Sequence, residues 1–362
     1  MMKQRDKTLD IFRGLTVCFM ILVNTPGSWQ HIYWPLKHSD WHGVTPTDLV
    51  FPFFLFAVGS SLFHVIKKDS NKIDTLRKAL KRSVLLFAFG LFLNAFPFVE
   101  TFHELRIMGV LQRIAICYLL AVIVIVYIPA KRISIFCCLL LLVYWCLVGF
   151  DKTYWELSDN LVREIDLLIL GQNHMYQGFG IPFEPEGLLS CFPATVSVLF
   201  GYRTTQLISV TDTTKAKNLA LLKYGIALTA VSLLWMLFLP LNKPLWSSSY
   251  VLLTTGLAQI LLGVIYLSEK LPVFRMINGL MEIYGSNPLL VYILSWLFAA
   301  SLALPLFDPL IYPSQSLTGL YFDTASTFIP AKLASLSHAI LTVALFYLLS
   351  LCLYKKRIFI KI

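Results

Sequence analysis

The chain has 362 residues, of which 57% are hydrophobic and only 14% are charged, and its formal net charge is +10. Soluble domains carry roughly 25% charged residues, so this composition excludes a large soluble domain and indicates a polytopic membrane protein. The seven cysteines all fall in apolar segments without metal-ligand spacing, so we expect neither a disulfide framework nor a bound metal.

Ten segments are predicted to span a membrane, because about 20 mostly apolar residues are needed to cross the hydrocarbon. The first of them contains Asp10 and Arg13 and lacks a small-residue cleavage site, so we expect a retained helix rather than a signal peptide. The expected fold is all-α, a single transmembrane domain over residues 1–362. The predicted spans are 9–26, 46–66, 80–98, 108–128, 133–150, 187–205, 219–240, 248–267, 277–303 and 333–354.

The basic residues predict the orientation. Of the 30 Lys and Arg, 23 lie in six segments. Two predicted spans separate each of these segments from the next, so all six lie on the same side of the membrane. The positive-inside rule therefore predicts that both termini are cytoplasmic and that the number of spans is even. The positive charge is explained by topology, so no nucleic-acid partner is expected. The basic segments are 1–13, 67–82, 131–132, 203–223, 270–275 and 355–361.

The loops on the opposite, extracytoplasmic side carry acids, aromatic residues and five of the seven histidines. This mixture suits recognition of a polar, sugar-like molecule outside the cytoplasm. The longest of these loops covers residues 151–186, and loops of that length are usually either functional or disordered. The five histidines are His31, His38, His42, His103 and His174.

Polar residues inside predicted spans are costly and indicate function, although each has a structural alternative. Asp10 and Arg13 share a helix face and can pair with each other. Asn24 lies near the outer end of the first span. Asp48 follows Thr45-Pro46-Thr47, which is the pattern of a capping box at a helix start.

Four further polar residues lie in later spans or at their entrances. Arg113 in "GVLQRIA" either extends to the outer surface or lines a polar cavity. Glu184 and Glu186 precede the sixth span, where a helix N-terminus favours carboxylates. Asn287 is followed by Pro288, a pair that predicts a broken or kinked helix.

Five motifs, in this order along nearly the whole chain, resemble the transmembrane heparan-alpha-glucosaminide N-acetyltransferase family and its bacterial relatives. The animal lysosomal members add a lumenal domain and a leading helix, so we expect a relative that lacks this domain. The motifs are "LDIFRGLTVCFMILVNTPG", "KHSDWHGVTPTDLVFPFFLFAVGSS", "GVLQRIAICYLLA", "PEGLLSCFPA" and "GSNPLLVY".

The resemblance implies an enzyme that moves acetyl from cytosolic acetyl-CoA to the amino group of an extracytoplasmic glucosamine-type sugar. The family's catalytic histidine falls on His38, and a family asparagine falls on Asn24. His42 stands where the lysosomal enzyme has an asparagine, so no role is transferred to it. A histidine suits removal of the amine proton, and an asparagine amide suits stabilisation of the tetrahedral oxygen. Two roles of His38 stay open, that of a base alone and that of a base that also carries the acetyl group as an acyl-imidazole.

The remaining site residues divide into two predicted groups. One group is expected to contact the acceptor, and the other to bind CoA phosphates at the cytoplasmic face or to line the path of the pantetheine arm. The first group is Asp48, Trp41, Glu184, Glu186 and Asn287, and the second is Arg13, Arg113, Arg82 and Lys78.

Two other functions stay open at this point. One is a glycan O-acyltransferase of the same architecture, and the other is a sugar transporter or permease, whose broken helices and midplane polar residues are similar. The expected location is the cytoplasmic membrane of a bacterium. The expected partners are the bilayer, acetyl-CoA and an amino-sugar acceptor, and a homodimer stays open.

Overall fold

The structure is a computed structural model, and it describes residues 6–66, 71–99, 101–149, 155–305 and 316–360. Within these ranges the regular structure consists of helices and contains no β-strand, which confirms the all-α prediction. The α-helices of these ranges are α1 Lys7–Asn24, α2 Val50–Val65, α3 Lys72–Ala95, α4 Val110–Tyr127, α5 Ala130–Gly149, α6 Leu161–Ile169, α7 Cys191–Ser209, α8 Thr214–Trp235, α9 Ser248–Ser268, α10 Arg275–Tyr284, α11 Pro288–Ala303, α12 Leu317–Ser326 and α13 Ala331–Lys355.

Each of the ten predicted spans overlaps one or two of these helices. Six helices of the described chain are long and apolar enough to cross a membrane, or seven spans if α10 and α11 form one broken span. The chain is therefore an integral membrane protein. The other predicted spans fall on α1 and α3, which carry several charges, and on α7, which is rich in hydroxyl side chains. Ten spans and cytoplasmic termini stay predictions.

The predicted helix break at Asn287-Pro288 is confirmed. What was predicted as one span over 277–303 is two helices, α10 and α11, bent by 78°. The Asn287 side chain holds this break, since its Nδ2 donates to the Ile358 carbonyl at 2.9 Å and its Oδ1 accepts from the Ile360 amide at 2.8 Å.

The chain forms two compact units. The first unit consists of Met1–His38, Thr45–Val50 and Leu271–Lys361, and it contains α1 and α10–α13. The second unit includes Ser39–Val44 and Phe51–Lys270, and it contains α3–α9 and α2 beyond Val50. The chain therefore passes from one unit to the other at His38 and again at Val44, within the motif that carries the candidate catalytic histidine.

In the first unit, α1 packs on α10, α11 and α13. The contact with α10 is close because two glycines face opposing backbone. A Cβ on Gly14 would lie 1.7 Å from the Met281 carbonyl oxygen, and one on Gly285 would lie 1.8 Å from that of Asp10. Any side chain at these positions would push the two helices apart.

In the second unit, α3 packs on α4, α8 packs on α9, and α7 contacts α4, α5 and α9. The long loop of the sequence contains α6 and is held by buried apolar residues from three segments of the chain. Its residues 151–154 lie outside the described ranges. The apolar cluster consists of Tyr144, Val148, Val162, Phe183 and Leu245.

We predict that Gly14→Ala destabilises the first unit by about 1–3 kcal/mol, because overpacking forces backbone shifts. Gly279→Ala is the matched control: Gly279 lies within α10, and apart from the adjacent backbone of that helix a Cβ there would meet no described atom within 4 Å. Alanine there should leave stability unchanged or raise it by up to about 1 kcal/mol. Thermal denaturation of the purified protein measures both, and equal effects would contradict the close contact.

Candidate active site

His38 and Asp48 form a hydrogen-bonded pair in the first unit. The Nδ1 of His38 lies 2.6 Å from the Asp48 Oδ1. The histidine side chain is about half exposed (47%), whereas that of Asp48 is buried (1%). A carboxylate accepts, so Nδ1 carries the proton and Nε2 is the basic nitrogen of the neutral ring. An exposed histidine oriented by a buried aspartate is the arrangement of a general base.

The predicted capping box at Thr45 is confirmed and occupies the other oxygen of Asp48. Oδ2 accepts from the Thr45 backbone N–H at 3.0 Å and lies 3.1 Å from the Thr45 hydroxyl, at the start of the 3₁₀ helix Pro46–Leu49. The same hydroxyl lies 2.7 Å from the Lys37 carbonyl. Asp48 therefore caps the start of a helix, and the hydroxyl of the N-cap residue Thr45 contacts the Lys37 carbonyl beside His38. This geometry favours a role for Asp48 in positioning His38. The predicted contact between Asp48 and the acceptor stays a prediction.

Asn24 is the last residue of α1 and is exposed. The chain after it is fixed to α13: the His338 Nδ1 lies 3.0 Å from the Thr25 carbonyl oxygen, and the Gly27 amide donates to the Ser335 carbonyl at 3.1 Å. Since a carbonyl only accepts, the His338 Nδ1 is the donor. These contacts hold the helix end that presents the Asn24 amide. No signal in the sequence indicated this use of His338.

Arg106 binds both candidate acceptor carboxylates in the second unit. Its Nε donates to the Glu184 Oε2 at 2.9 Å, and its Nη2 donates to the Glu184 Oε1 at 2.5 Å and the Glu186 Oε2 at 2.7 Å. Its guanidinium also lies over the Tyr176 ring, 4.9 Å from the centroid. We call Arg106, Glu184 and Glu186 the Arg106 cluster. The prediction missed Arg106, although a lone arginine in a loop assigned to the outer side is an exception to the positive-inside rule.

The two carboxylates of the Arg106 cluster differ: burial raises the pKa of Glu184, although its hydrogen bonds to Arg106 and the charge of Arg106 oppose this shift. Burial opposes the charge of Glu186, but Arg106, Arg113 and Lys243 outweigh it and hold the pKa of Glu186 below its usual value. Burial likewise opposes the charge of Arg106, while its hydrogen bond to Glu184 and the two carboxylate charges raise the pKa of Arg106. Acceptor contact by these two glutamates stays a prediction.

Arg113 is fully buried in the second unit. Its Nη2 donates to the Ser190 hydroxyl and to the Gly187 carbonyl, and its guanidinium lies 4.8 Å from the Trp246 ring centroid. Its Nε and Nη1 have no hydrogen-bond partner among the described residues. Of the two alternatives, this burial agrees with a polar interior site rather than with extension to the outer surface. Binding of the acyl donor by Arg113 stays a prediction.

Asp166 of α6 is a buried acid that the sequence did not single out. Its Oδ1 accepts from the Leu188 amide at 2.8 Å, and its Oδ2 has no hydrogen-bond partner among the described residues. Burial raises the pKa of Asp166 to about 7, although the Leu188 hydrogen bond opposes the shift. This carboxyl group connects α6 to the entrance of α7.

Trp41 belongs to an aromatic group of the second unit. Its Nε1 donates to the Trp155 carbonyl at 2.8 Å, and its ring packs edge-to-face on Phe179 and Phe183. The Nδ1 of the neighbouring His42 lies 3.3 Å from the Asn242 Nδ2. Burial lowers the pKa of His42, while the charge of Glu156 opposes this shift. These contacts hold residues 39–44 in place. Contact between Trp41 and the amino-sugar acceptor stays a prediction.

The residues predicted to bind CoA phosphates have different surroundings. Lys78 is exposed on α3, and Arg82 lies over the Tyr118 ring at 4.7 Å with its Nε unpartnered among the described residues. Arg13 instead pairs with Asp10, as predicted for that helix face, and its Nε donates to the Leu9 carbonyl at 3.3 Å. Of the basic cluster at 67–82, Lys67 and Lys68 lie outside the described residues.

The predicted site residues are therefore distributed over both units. In the first unit the structure joins His38 directly to Asp48, whereas Asn287 binds the C-terminal segment and Arg13 binds Asp10. In the second unit it joins Glu184 to Glu186 through Arg106. The fold and these contacts define a helical integral membrane protein in which a loop histidine is oriented by an aspartate at a helix start.

The comparisons with known proteins identify the family. Residues 5–240 match the family described as heparan-alpha-glucosaminide N-acetyltransferase, catalytic. The Mus musculus protein named heparan-alpha-glucosaminide N-acetyltransferase is 27% identical over 351 residues, covering 80% of this chain and 53% of that protein. The Homo sapiens protein of the same name is 30% identical over 356 residues, covering 80% and 52%. The chain belongs to this family, as its five motifs predicted, and spans about half the length of these curated relatives.

We predict that Asp166→Asn removes a pH dependence of stability. With a pKa near 3.8 when unfolded and about 7 when folded, Asp166 lowers native stability as the pH rises from about 4 to about 7, by up to about 4 kcal/mol in total. The asparagine variant should be the more stable protein at pH 8. Thermal denaturation between pH 5 and pH 8 tests this, with the exposed Asp159→Asn as the matched control. A variant that keeps the wild-type slope would contradict the assignment.

We also predict that Arg106→Met destabilises the second unit by about 3–5 kcal/mol, because it leaves two carboxylates with little exposure and without their bound cation. Arg163→Met is the matched control, since within the described chain Arg163 donates to two carbonyls, those of Pro182 and Ser158, and pairs with no carboxylate. Its loss should cost about 1 kcal/mol per hydrogen bond. Adding Glu184→Gln and Glu186→Gln to Arg106→Met should restore part of the stability, and thermal denaturation that shows no recovery would exclude the charge explanation.

Proposed function

We propose that this protein is a membrane acetyltransferase that moves acetyl from cytosolic acetyl-CoA to the amino group of an extracytoplasmic glucosamine-type sugar. Family membership supports the reaction class, because the curated relatives are named heparan-alpha-glucosaminide N-acetyltransferases. The observation that carries the proposal is the 2.6 Å contact between His38 and the buried Asp48. It lies in the motif that implied the catalytic histidine, and it fixes the tautomer that the reaction requires.

In the proposed reaction the His38 Nε2 accepts a proton from the acceptor amine as the nitrogen attacks the thioester carbonyl. Asp48 stabilises the imidazolium that forms, because its Oδ1 accepts the Nδ1–H bond. The Asn24 amide donates to the oxygen of the tetrahedral intermediate, an interaction worth about 3–4 kcal/mol in comparable sites. When the C–S bond breaks, the thiolate of CoA leaves and takes up a proton, for which the His38 imidazolium is the donor. The products are the N-acetyl sugar and CoA.

The basic residues of α3 fit the phosphates of the acyl donor. Lys72, Arg77, Lys78 and Lys81 are exposed along this helix, and the Arg82 guanidinium lies over the Tyr118 ring at 4.7 Å. Phosphate binds such charges through charge-assisted hydrogen bonds. Under the predicted topology this part of α3 is cytoplasmic, where acetyl-CoA is available, in a bacterial cytoplasmic membrane. Arg113 would stabilise polar groups of the donor within the helices.

The decisive variant is Asp48→Asn. In the variant the oxygen of the amide should face the Thr45 N–H, so that the cap is kept and the NH2 group faces His38. His38 Nδ1 would then have to accept, and the proton would move to Nε2, which removes the base. We expect kcat to fall by about 10³–10⁴-fold, with a smaller effect on KM and an unchanged folded state.

Transfer of labelled acetyl from acetyl-CoA to a panel of amino sugars and glycan fragments measures this loss. His38→Ala should be inactive, and His42→Ala is the matched control that keeps activity. Transfer to glucosamine that survives in His38→Ala would contradict the proposed mechanism. Label on glycan hydroxyls would identify an O-acyltransferase, and movement of unmodified sugar would identify a transporter.

A further inference from the structure

A small, open surface pocket lies in the first unit, between the end of α1, the loop that follows it and the start of α13. Apolar side chains form most of its lining, among them Leu22, Leu36 and Leu336. Its polar lining includes His31, Tyr33 and Lys332. The pocket is therefore amphipathic, and neither the predicted topology nor the proposed acetyl transfer explains it.

The described residues that line the pocket carry a positive charge at Lys332 and include no acid. The Lys332 Nζ lies 6.0 Å from the centroid of the Tyr33 ring, which is a favourable position for a cation. His31 is held in place by stacking on Phe322, with ring centroids 5.3 Å apart, and by its Nδ1, 3.3 Å from the Ser28 hydroxyl. A lysine and a fixed imidazole without a carboxylate favour an anionic ligand.

Exposed aromatic residues of the first unit indicate the depth of this pocket in the bilayer. Trp29 and Trp34 lie within its loop and are 66% and 67% exposed. Such side chains concentrate at the level of the lipid headgroups. At this depth the cationic part of the pocket would contact lipid phosphates, and the apolar part would contact the first carbons of the lipid chains.

We propose that this pocket binds the phosphate group of a membrane lipid through Lys332 and His31, with the first chain carbons against Leu22, Leu36 and Leu336. Such a phosphate belongs either to an anionic phospholipid or to a lipid-linked sugar. The second source rests on the proposed function: Leu22 and Val23 line the pocket and immediately precede Asn24, so a lipid-linked amino sugar would be delivered next to the candidate active site.

The test measures ligand binding to the purified full-length chain by native mass spectrometry and thermal shift, in the absence of acetyl-CoA. The ligands are phosphatidylglycerol, phosphatidylcholine, farnesyl phosphate and inorganic phosphate. We expect phosphatidylglycerol or farnesyl phosphate to bind more tightly than phosphatidylcholine or inorganic phosphate. Tighter binding of phosphatidylglycerol identifies a phospholipid site, and tighter binding of farnesyl phosphate identifies a site for lipid-linked sugars.

Lys332→Gln should weaken the preferred lipid about fivefold, the effect of one basic residue near a membrane surface. Lys332→Arg should restore most of the binding. Lys37→Gln is the matched control, since it removes the same charge from an exposed loop residue of the same unit that does not line the pocket. Equal losses in Lys332→Gln and Lys37→Gln would overturn the proposal in favour of diffuse attraction.

Leu336→Phe tests the apolar part without a change of charge. It should reduce lipid binding while leaving inorganic phosphate unaffected, and an unchanged melting temperature without ligand shows that the variant is folded. Inorganic phosphate that binds as tightly as either lipid would overturn the proposal. Because acetyl transfer is not part of this assay, failure of the lipid site and failure of the proposed enzyme are distinguishable.

Discussion

The buried carboxylate of Asp48 is the constraint on which the candidate active site depends. A carboxylate with no exposure is stable only if its oxygens are hydrogen-bonded, and here the partners are the Thr45 backbone N–H, the Thr45 hydroxyl and the His38 ring. Asp48 thereby couples three features: the start of a helix, the path of the preceding loop and the orientation of a half-exposed histidine. A change at His38, Thr45 or Asp48 alters the contacts of the other two.

Buried charged side chains of the second unit also have specific partners. The carboxylates of Glu184 and Glu186 share one guanidinium, and the neighbouring Arg113 is buried among a hydroxyl, a carbonyl and an aromatic face. Asp166 differs from them, since one of its oxygens lacks a partner in the described chain and its pKa is near neutral pH. The buried charges of this unit are thus held by specific contacts at the loop that leads into α7.

Local patterns predicted several features of this protein well. The Thr45-Pro46-Thr47-Asp48 pattern predicted a capping box, and Asn287-Pro288 predicted a helix break, because both effects involve residues within one helical turn. Asp10 and Arg13 were expected to pair because they are three residues apart on one helix. The five family motifs predicted a family that the comparisons then confirmed.

The sequence by itself therefore determined the membrane class, the helical segments, their caps and breaks, and the family, since these follow from composition and from contacts a few residues apart. The tertiary structure alone decided which polar residues from distant parts of the chain are partners. Arg106 and Glu184 are 78 positions apart, and Asn287 and Ile358 are 71 apart. His38 contacts Asp48 where Thr45 and Thr47 donate to the carbonyls of Lys37 and Pro35, which precede the histidine. Such contacts depend on how distant segments pack, and no local pattern encodes that arrangement.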